Sequence, residues 1–209
     1  MRTDIRCAPV IDIDDGIAAA IAQHGVAVVP RFAPRGLAGA LATEVRRRDA
    51  AGEFRPAGVG RGDGRSVRAD IRGDRIRWLD EHGLAPAERR LRSVLDALRQ
   101  KINRATALGL FSVEAHYAIY PPGAFYRRHR DRFRDDDARV LSWIVYLNEA
   151  WSEADGGALR IHHADGSARD VLPEAGTLAC FLTDFEHEVL PPQRERVSIA
   201  GWFRRRALG

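Results

Sequence analysis

The sequence is poor in cysteine and lacks long apolar runs, and both absences restrict where the protein can work. Cys7 and Cys180 are its only cysteines; they lie far apart, and a stabilising disulfide is not expected. No apolar stretch approaches the roughly 18 residues needed to cross a bilayer. The first residues lack the apolar core and cleavage site of an export signal. We therefore expect a cytoplasmic protein with no membrane partner.

Lysine is almost absent, since Lys101 is the only lysine among 33 basic residues and arginine supplies the others. The 29 acidic residues leave a net charge of +4, and they are interleaved with the arginines along the whole chain. A nucleic-acid-binding face requires positive charge that is clustered on one side. We therefore expect a mixed, solvated surface charge, and nucleic acid is not an expected partner.

A length of 209 residues with 45% hydrophobic residues is typical of one soluble globular domain, here 1–209. Residues 1–50 predict a helical support. The glycine-rich segment 51–75 predicts a long mobile loop, for which a lid is one role. Residues 76–206 predict a further helix followed by a strand-rich core. The early elements are a helix from Asp14 or Asp15 to His24, the strand Val26–Val29, a helix after Pro34 and a helix after Pro86.

From Phe111 onward the chain changes to short segments of alternating apolar and less apolar residues, separated by turn residues. Many short strands at regular spacing are typical of a sandwich or barrel, and a double-sheet jelly roll is one way to close such a set. Helices followed by strands give the fold class α+β. The predicted strands cover residues 111–119, 125–129, 140–147, 158–162, 168–172, 177–182 and 197–203.

Two histidines and one carboxylate on one face of a metal are typical of non-haem Fe(II) oxygenases. His129 and Asp131 match the His-x-Asp part of such a site, because alternate residues of a strand share one side. Chance alone gives about 0.6 such triplets at this composition, and a second one, His163 to Asp165, is present. Spacing favours the first triplet: His187 follows Asp131 by 56 positions, which fits neighbouring jelly-roll strands with several strands between them. The predicted metal ligands are His129, Asp131 and His187.

Arg196 precedes a strand-like run, so its guanidinium is expected inside the barrel. A buried arginine requires a carboxylate partner, and a planar bidentate pair satisfies it best. A dicarboxylic co-substrate would supply that partner, and the phenol of Tyr146 could donate to the same carboxylate. Pairing of Arg196 with a carboxylate of the protein itself remains the alternative.

These residues resemble the iron- and 2-oxoglutarate-dependent dioxygenases of the prolyl 4-hydroxylase type, and further motifs resemble the hypoxia-sensing prolyl hydroxylase branch with its bacterial relatives. The resemblance runs from about Asp70 to Phe203, and its specificity comes from the order of many short matches. The matching strings are Asp70-Ile71-Arg72-Gly73-Asp74-Arg75-Ile76-x-Trp78, Tyr120-Pro121, Tyr126-x-x-His129, Tyr146-Leu147-Asn148-x-x-Trp151, Gly156-Gly157-x-Leu159-Arg160-Ile161, His187-Glu188-Val189 and Arg196 with Trp202-Phe203.

The resemblance implies a double-stranded β-helix core, of the jelly-roll or cupin-like kind, backed by the N-terminal helices. It also implies that His129, Asp131 and His187 hold Fe(II), and that no other side chain is catalytic. The remaining implied residues are Arg196, Tyr146, Tyr120, Leu159 and Trp202 for 2-oxoglutarate, and Arg72, Asp74 and Arg139 near the substrate entrance, with an ion pair between Asp74 and Arg139.

The expected function is therefore hydroxylation of a prolyl residue in a cytosolic protein, with a translation component as one candidate, using Fe(II), 2-oxoglutarate and O2. The same chemistry on a free amino acid or small metabolite is the first alternative. Demethylation of nucleic acid is disfavoured, because relatives with that activity carry a second arginine where this chain has Trp202. A cupin-like metal protein without oxygenase activity is the alternative from another class.

Overall fold

The computed structural model describes residues 15–60, 66–132 and 138–206. Helices and antiparallel strands form three layers, which confirms the α+β class and the double-stranded β-helix core. The elements in chain order are α1 Asp15–His24, β1 Val26–Val29, α2 Arg35–Ala50, β2 Arg55–Pro56, β3 Arg75–Trp78, α3 Pro86–Thr106, β4 Leu110–Tyr120, β5 Tyr126–His129, β6 Arg139–Tyr146, β7 Leu159–His162, β8 Ala168–Val171, β9 Leu178–Leu182, β10 Glu186–Val189 and β11 Arg196–Arg205.

Two antiparallel sheets make up the core. The larger has seven strands in the order β1-β9-β6-β11-β4-β3-β2, and the smaller has four in the order β5-β10-β7-β8. Strands close in sequence therefore often lie in different sheets, and β11, the last strand, pairs with both β4 and β6 at the centre of the larger sheet. This exchange between sheets places residues from distant parts of the chain side by side.

The helices cover the outer face of the larger sheet, as their sequence periodicity predicts. Along α3 the buried residues Leu91, Leu95, Leu98 and Ile102 recur every three or four positions and share a core with α1, α2 and the sheet. Strand β6 shows the matching period of two. Its residues Leu141, Trp143 and Val145 belong to this helix-facing core, whereas Tyr146 belongs to the second core between the sheets.

The structure adds strands that the sequence analysis did not identify. The segment 51–75 contains β2 and ends at β3, which pairs with β4. An isolated bridge joins Val59 to Ser66, and residues 61–65 of the expected loop lie outside the described residues, so its mobility stays a prediction. Strand β10 carries a charged or histidine residue at three of its four positions, so it lacks the apolar pattern of a strand.

Across the three described stretches, no helix is both long enough and apolar enough to pass through a membrane.

Gly201 marks the tightest approach in the larger sheet. It lies on β11 opposite Ala115 of β4 and Trp143 of β6. A Cβ atom at Gly201 would overlap the carbonyl oxygen of Glu114 and come within 2.6 Å of the Trp143 ring. The central strand can therefore hold its two neighbours at this spacing only because position 201 has no side chain.

We expect Gly201→Ala to lower the free energy of unfolding by about 3 kcal/mol, because backbone and a packed indole must shift to admit one methyl group. Urea unfolding followed by circular dichroism measures the change. The matched control is Gly39→Ala in α2, where a Cβ meets nothing within 4 Å and helix propensity favours alanine by about 1 kcal/mol. Equal stability of the Gly201 variant and the natural protein would contradict this interpretation.

Candidate metal centre

The three predicted metal ligands meet at the edge of the smaller sheet. Residue His129 ends β5 and lies directly opposite His187 of β10 in the antiparallel register, with the two ring centres 4.2 Å apart. The strand stops at His129, so Asp131 reaches the site from the bend that follows. The sequence analysis had placed Asp131 on the same strand as His129. One ligand atom from each residue lies within 4.8 Å of the other two.

Backbone contacts orient both imidazoles toward one point. The Nδ1 atom of His129 lies 2.7 Å from the carbonyl oxygen of Arg127, and that of His187 lies 3.1 Å from the carbonyl oxygen of Phe185. A carbonyl only accepts, so Nδ1 carries the proton in each ring and Nε2 keeps its lone pair. Both Nε2 atoms lie 3.5 Å from the Asp131 carboxylate. Two imidazoles and one carboxylate on one side form a donor set that fits Fe(II).

The protonation states suit metal binding near neutral pH. Burial lowers the pKa of His187 to about 4, more strongly than the nearby Asp131 raises it, so the ring is neutral. Burial alone would raise the pKa of Asp131. At the low pH where Asp131 titrates, the positive charge on His187, the contact with His129 and a hydrogen bond from Ser142 outweigh burial and hold that pKa well below its usual range. The carboxylate is therefore ionised and available as a ligand.

Ser142 is a supporting residue that the sequence analysis missed. It lies on β6 with its side chain toward the smaller sheet, and its hydroxyl donates to Asp131 Oδ2 at 2.6 Å. The ring of Tyr126 stacks on His129, with centres 3.5 Å apart, which fixes the other side of the site. The alternation of β6 could have found Ser142, because it lies four residues before Tyr146 and therefore on the same face.

A cavity of about 340 Å³ opens beside these three residues between the two sheets. Four of the five residues predicted to bind the co-substrate line it, and the fifth, Tyr146, lies against Arg196 with its ring centre 5.1 Å from the guanidinium carbon. The structure thus brings the predicted metal and co-substrate residues to one place. The four lining residues are Tyr120, Leu159, Arg196 and Trp202.

Arg196 has no acidic partner within the described ranges, although only 2% of its surface is exposed. Its Nε donates to the carbonyl oxygen of Gly157 at 2.8 Å, and the rings of Tyr120 and Tyr146 flank the guanidinium. A buried arginine elsewhere behaves differently: Arg48 lies 3.0 Å and 3.3 Å from two glutamates. The guanidinium of Arg196 is thus the kind of buried charge that requires a carboxylate from a ligand.

Tyr146 gives a second indication of a missing acceptor. Its ring is fully buried and its hydroxyl has no hydrogen-bond partner in the described structure. Burial raises the pKa of Tyr146 to about 12 against the opposing effect of Arg196, so the hydroxyl keeps its proton and can donate. A guanidinium without a carboxylate partner and a phenol without an acceptor, both among the described residues, fit the far carboxylate of 2-oxoglutarate.

Two of the three residues predicted near the substrate entrance, Arg72 and Arg139, line the cavity, but the ion pairing differs from the expected one. Arg72 makes a two-point hydrogen bond to Asp74, at 2.7 Å and 2.6 Å, and its guanidinium lies over the Tyr126 ring. Arg139 donates to Glu114 at 3.0 Å and stacks on Trp202 at 3.4 Å. The expected ion pair between Asp74 and Arg139 is therefore wrong.

The physical reason lies in burial. The side chain of Asp74 is fully buried, and Arg72, two residues away on the same side of the chain, satisfies both of its oxygens with a planar fork. Sequence order could not show which of two arginines the carboxylate meets.

Several comparisons with known proteins bear on this site. A model of the 2OG-Fe(II) oxygenase superfamily matches residues 115–204. A Pseudomonas putida prolyl-4-hydroxylase structure is similar at 49% identity and a TM-score of 0.83, covering 91% of this chain and 98% of the other. A Trichoplax adhaerens prolyl hydroxylase, solved with a hypoxia inducible factor peptide fragment, has 24% identity and a TM-score of 0.81, covering 90% and 87%.

The epimerase SnoN, in complex with Fe3+, alpha ketoglutarate and nogalamycin RO, has 14% identity and a TM-score of 0.67, covering 91% of this chain and 83% of the other. At identities below 25%, as for SnoN and the Trichoplax protein, the likeness shows the fold alone. Since one of these proteins is an epimerase, the fold by itself does not specify the reaction.

We expect Ser142→Ala to weaken binding of Co(II) at the candidate centre about tenfold, because Asp131 loses the hydrogen bond that orients its carboxylate. Isothermal titration measures the affinity. Ser112→Ala on β4, whose side chain makes no described bond to the three ligands, is the matched control and should bind as the natural protein does. An unchanged affinity in the Ser142 variant would remove this residue from the site.

Proposed function

Since this chain belongs to the 2OG-Fe(II) oxygenase superfamily and depends on Fe(II), 2-oxoglutarate and O2, we propose that it hydroxylates a prolyl residue of a cytosolic protein. The observation that carries the proposal is the convergence of His129, Asp131 and His187 beside a buried arginine that has no acidic partner among the described residues. The likeness to a prolyl-4-hydroxylase over nearly the full length of both chains supports the choice of reaction.

His129, Asp131 and His187 would hold Fe(II) through two imidazole nitrogens and one carboxylate oxygen. With the co-substrate bound, the iron supplies the oxidation: 2-oxoglutarate and O2 give succinate and CO2, and one oxygen atom enters a C–H bond of the substrate. The three ligand residues would hold the ion from one side, and the cavity lies beside them. No side chain has to act as a nucleophile.

Arg196 and Tyr146 would orient the co-substrate. The guanidinium and the phenol donate to the carboxylate that lies farther from the metal, while Leu159, Tyr120 and Trp202 surround the carbon chain. Both sheets enclose this end of the cavity, which excludes water from the reacting groups and strengthens each charged contact.

A substrate larger than a metabolite is favoured by the outer end of the cavity. Trp78 lines the cavity, yet 42% of its surface is exposed, and large exposed aromatic residues are typical of protein-binding surfaces. Arg72 and Arg139 add planar groups that can donate hydrogen bonds to a peptide backbone. The two cysteines of this chain are widely separated and suggest no disulfide, which favours a reducing compartment such as the cytosol. The substrate would then be a cytosolic protein, with a translation component as one candidate.

The test of the proposed reaction is incubation of the iron-loaded protein with lysate and 2-oxoglutarate, followed by mass spectrometry. We expect a +16 Da modification on a proline of a cytosolic protein, dependent on 2-oxoglutarate, because hydroxylation adds one oxygen atom. His129→Ala is the control, and should abolish both the modification and succinate release. Oxidation of a free amino acid or metabolite only, with no modified proline, would replace the proposal by its small-molecule alternative.

The co-substrate contacts give a separate expectation. Tyr146→Phe should raise the KM for 2-oxoglutarate about tenfold, because one hydrogen bond to a charged group is lost, and Arg196→Met should raise it more than 100-fold. Initial rates of succinate release at varied 2-oxoglutarate measure both values.

Arg194→Ala is the control for these variants. Arg194 is a partly exposed arginine two residues from Arg196 that pairs with Asp155 at 2.8 Å, and its loss should leave the KM unchanged. A KM for Tyr146→Phe equal to that of the natural protein would contradict the assigned contact.

A further inference from the structure

His116 is a buried polar residue in the cavity wall that has no role in the reaction described so far. It lies on β4, four residues before Tyr120, so both side chains are on the strand face that lines the cavity. Only 5% of its surface is exposed. The imidazole forms a triangular cluster with two indoles: its ring centre lies 4.9 Å from that of Trp78 and 5.4 Å from that of Trp202, and the two indole centres lie 6.2 Å apart.

Neither ring nitrogen of His116 forms a hydrogen bond with the described part of the chain, and Nδ1 is enclosed without a partner. A satisfied buried histidine would bond to a carbonyl or a carboxylate, as the buried His187 and the half-buried His129 and His162 do. The hydrogen-bonding capacity of Nε2 is therefore not used by the described part of the fold and remains for a ligand.

The charge state of His116 follows from its surroundings. Burial, together with the nearby Arg72 and Arg139, lowers its pKa to about 3 against the opposing effect of Asp74 and Asp131. The ring is therefore neutral and carries one proton. An enclosed N–H without an acceptor is rarer in proteins than an enclosed lone pair, so the proton belongs on Nε2 and the lone pair on Nδ1. His116 is then a donor at Nε2.

Trp202 supplies a second donor of the same kind. Its Nε1–H is buried and has no acceptor within the described residues, and the Trp202 ring stacks on His116 with an angle of 23° between the planes. Indole nitrogen can only donate. The wall next to the metal ligands thus combines flat rings with two donors that lack acceptors.

This combination is complementary to a peptide segment that contains proline. A prolyl residue has no backbone N–H, so the segment around it presents carbonyl oxygens as its main polar groups and an apolar ring as its side chain. The donors on His116 and Trp202 can form hydrogen bonds with the carbonyl oxygens, and the aromatic rings can contact the pyrrolidine ring. A wall of acceptors would find no partner on that residue.

We propose that His116 is a substrate-binding residue, which donates a hydrogen bond from Nε2 to a backbone carbonyl of the prolyl segment and so positions the C–H bond toward the metal. The proposal rests on the proposed prolyl hydroxylation. It distinguishes the binding of the prolyl peptide, which depends on His116, from the binding of 2-oxoglutarate, which does not.

Kinetics with a synthetic peptide that spans the proline modified in lysate test this role. We expect His116→Met, which keeps the side-chain length but removes the donor, to raise the KM for the peptide about tenfold. It should also lower the ratio of hydroxylated peptide to succinate, because a poorly positioned substrate lets the co-substrate react unproductively. The KM for 2-oxoglutarate should stay within about twofold of the natural value.

Two further variants separate hydrogen bonding from packing. His116→Gln keeps an N–H donor and should restore the KM for the peptide to within about threefold of the natural value. His24→Met, at the exposed end of α1, is the matched control and should change neither constant. Natural kinetics in His116→Met, or equal impairment of the Met and Gln variants, would overturn the role of His116 and leave prolyl hydroxylation standing.

Nitrogen NMR of the ¹⁵N-histidine-labelled natural protein, with Zn²⁺ in place of iron, gives an answer even if the variants do not fold. We expect the His116 ring to be protonated on Nε2 and that nitrogen to shift when the peptide is added. Protonation on Nδ1, or no shift on saturation with peptide, would overturn the inference. Absence of any modified prolyl peptide for the natural protein would instead remove the proposed function, and this inference with it.

Discussion

The pairing of β5 with β10 is the constraint on which the site depends. It places His129 and His187 opposite each other, and a slip of one residue would turn one imidazole to the other face of the sheet. The backbone carbonyls that fix the two rings belong to Arg127 and Phe185, each two residues before its histidine. Ring orientation is therefore tied to the strand conformation, and the metal-binding geometry follows from the sheet.

A second constraint is that the buried arginines differ in whether a carboxylate of the protein compensates their charge. Arg48 and Arg72 are held by carboxylates of the protein, whereas Arg196 is enclosed by aromatic rings and one backbone carbonyl. An unpaired guanidinium in a site of low dielectric destabilises the fold until an anion arrives. The fold tolerates this cost at the site where the proposed co-substrate compensates it, next to the unpartnered hydroxyl of Tyr146.

Some elements and site residues could be predicted from the sequence and others could not, for identifiable reasons. Helix α3 was predicted because its buried leucines repeat with the helical period and no other pattern competes. Strand β10 was not, because His187 is flanked by glutamates whose side chains face outward. Ser142 and His116 were accessible in principle through the alternation of β6 and β4, but nothing in the sequence marked those positions as facing a cavity.

The sequence by itself indicated the fold class, the three candidate metal ligands, and Arg196 and Tyr146 as partners for a co-substrate carboxylate. These predictions were possible because residue chemistry and strand spacing depend on local order along the chain. Tertiary structure decided which arginine meets Asp74, that Asp131 reaches the site from a bend, and that His116 forms no hydrogen bond with the part of the chain that the structure describes. These outcomes depend on which side chains become neighbours when two sheets exchange strands. That choice is made by packing and burial over the whole fold, and no short stretch of sequence contains it.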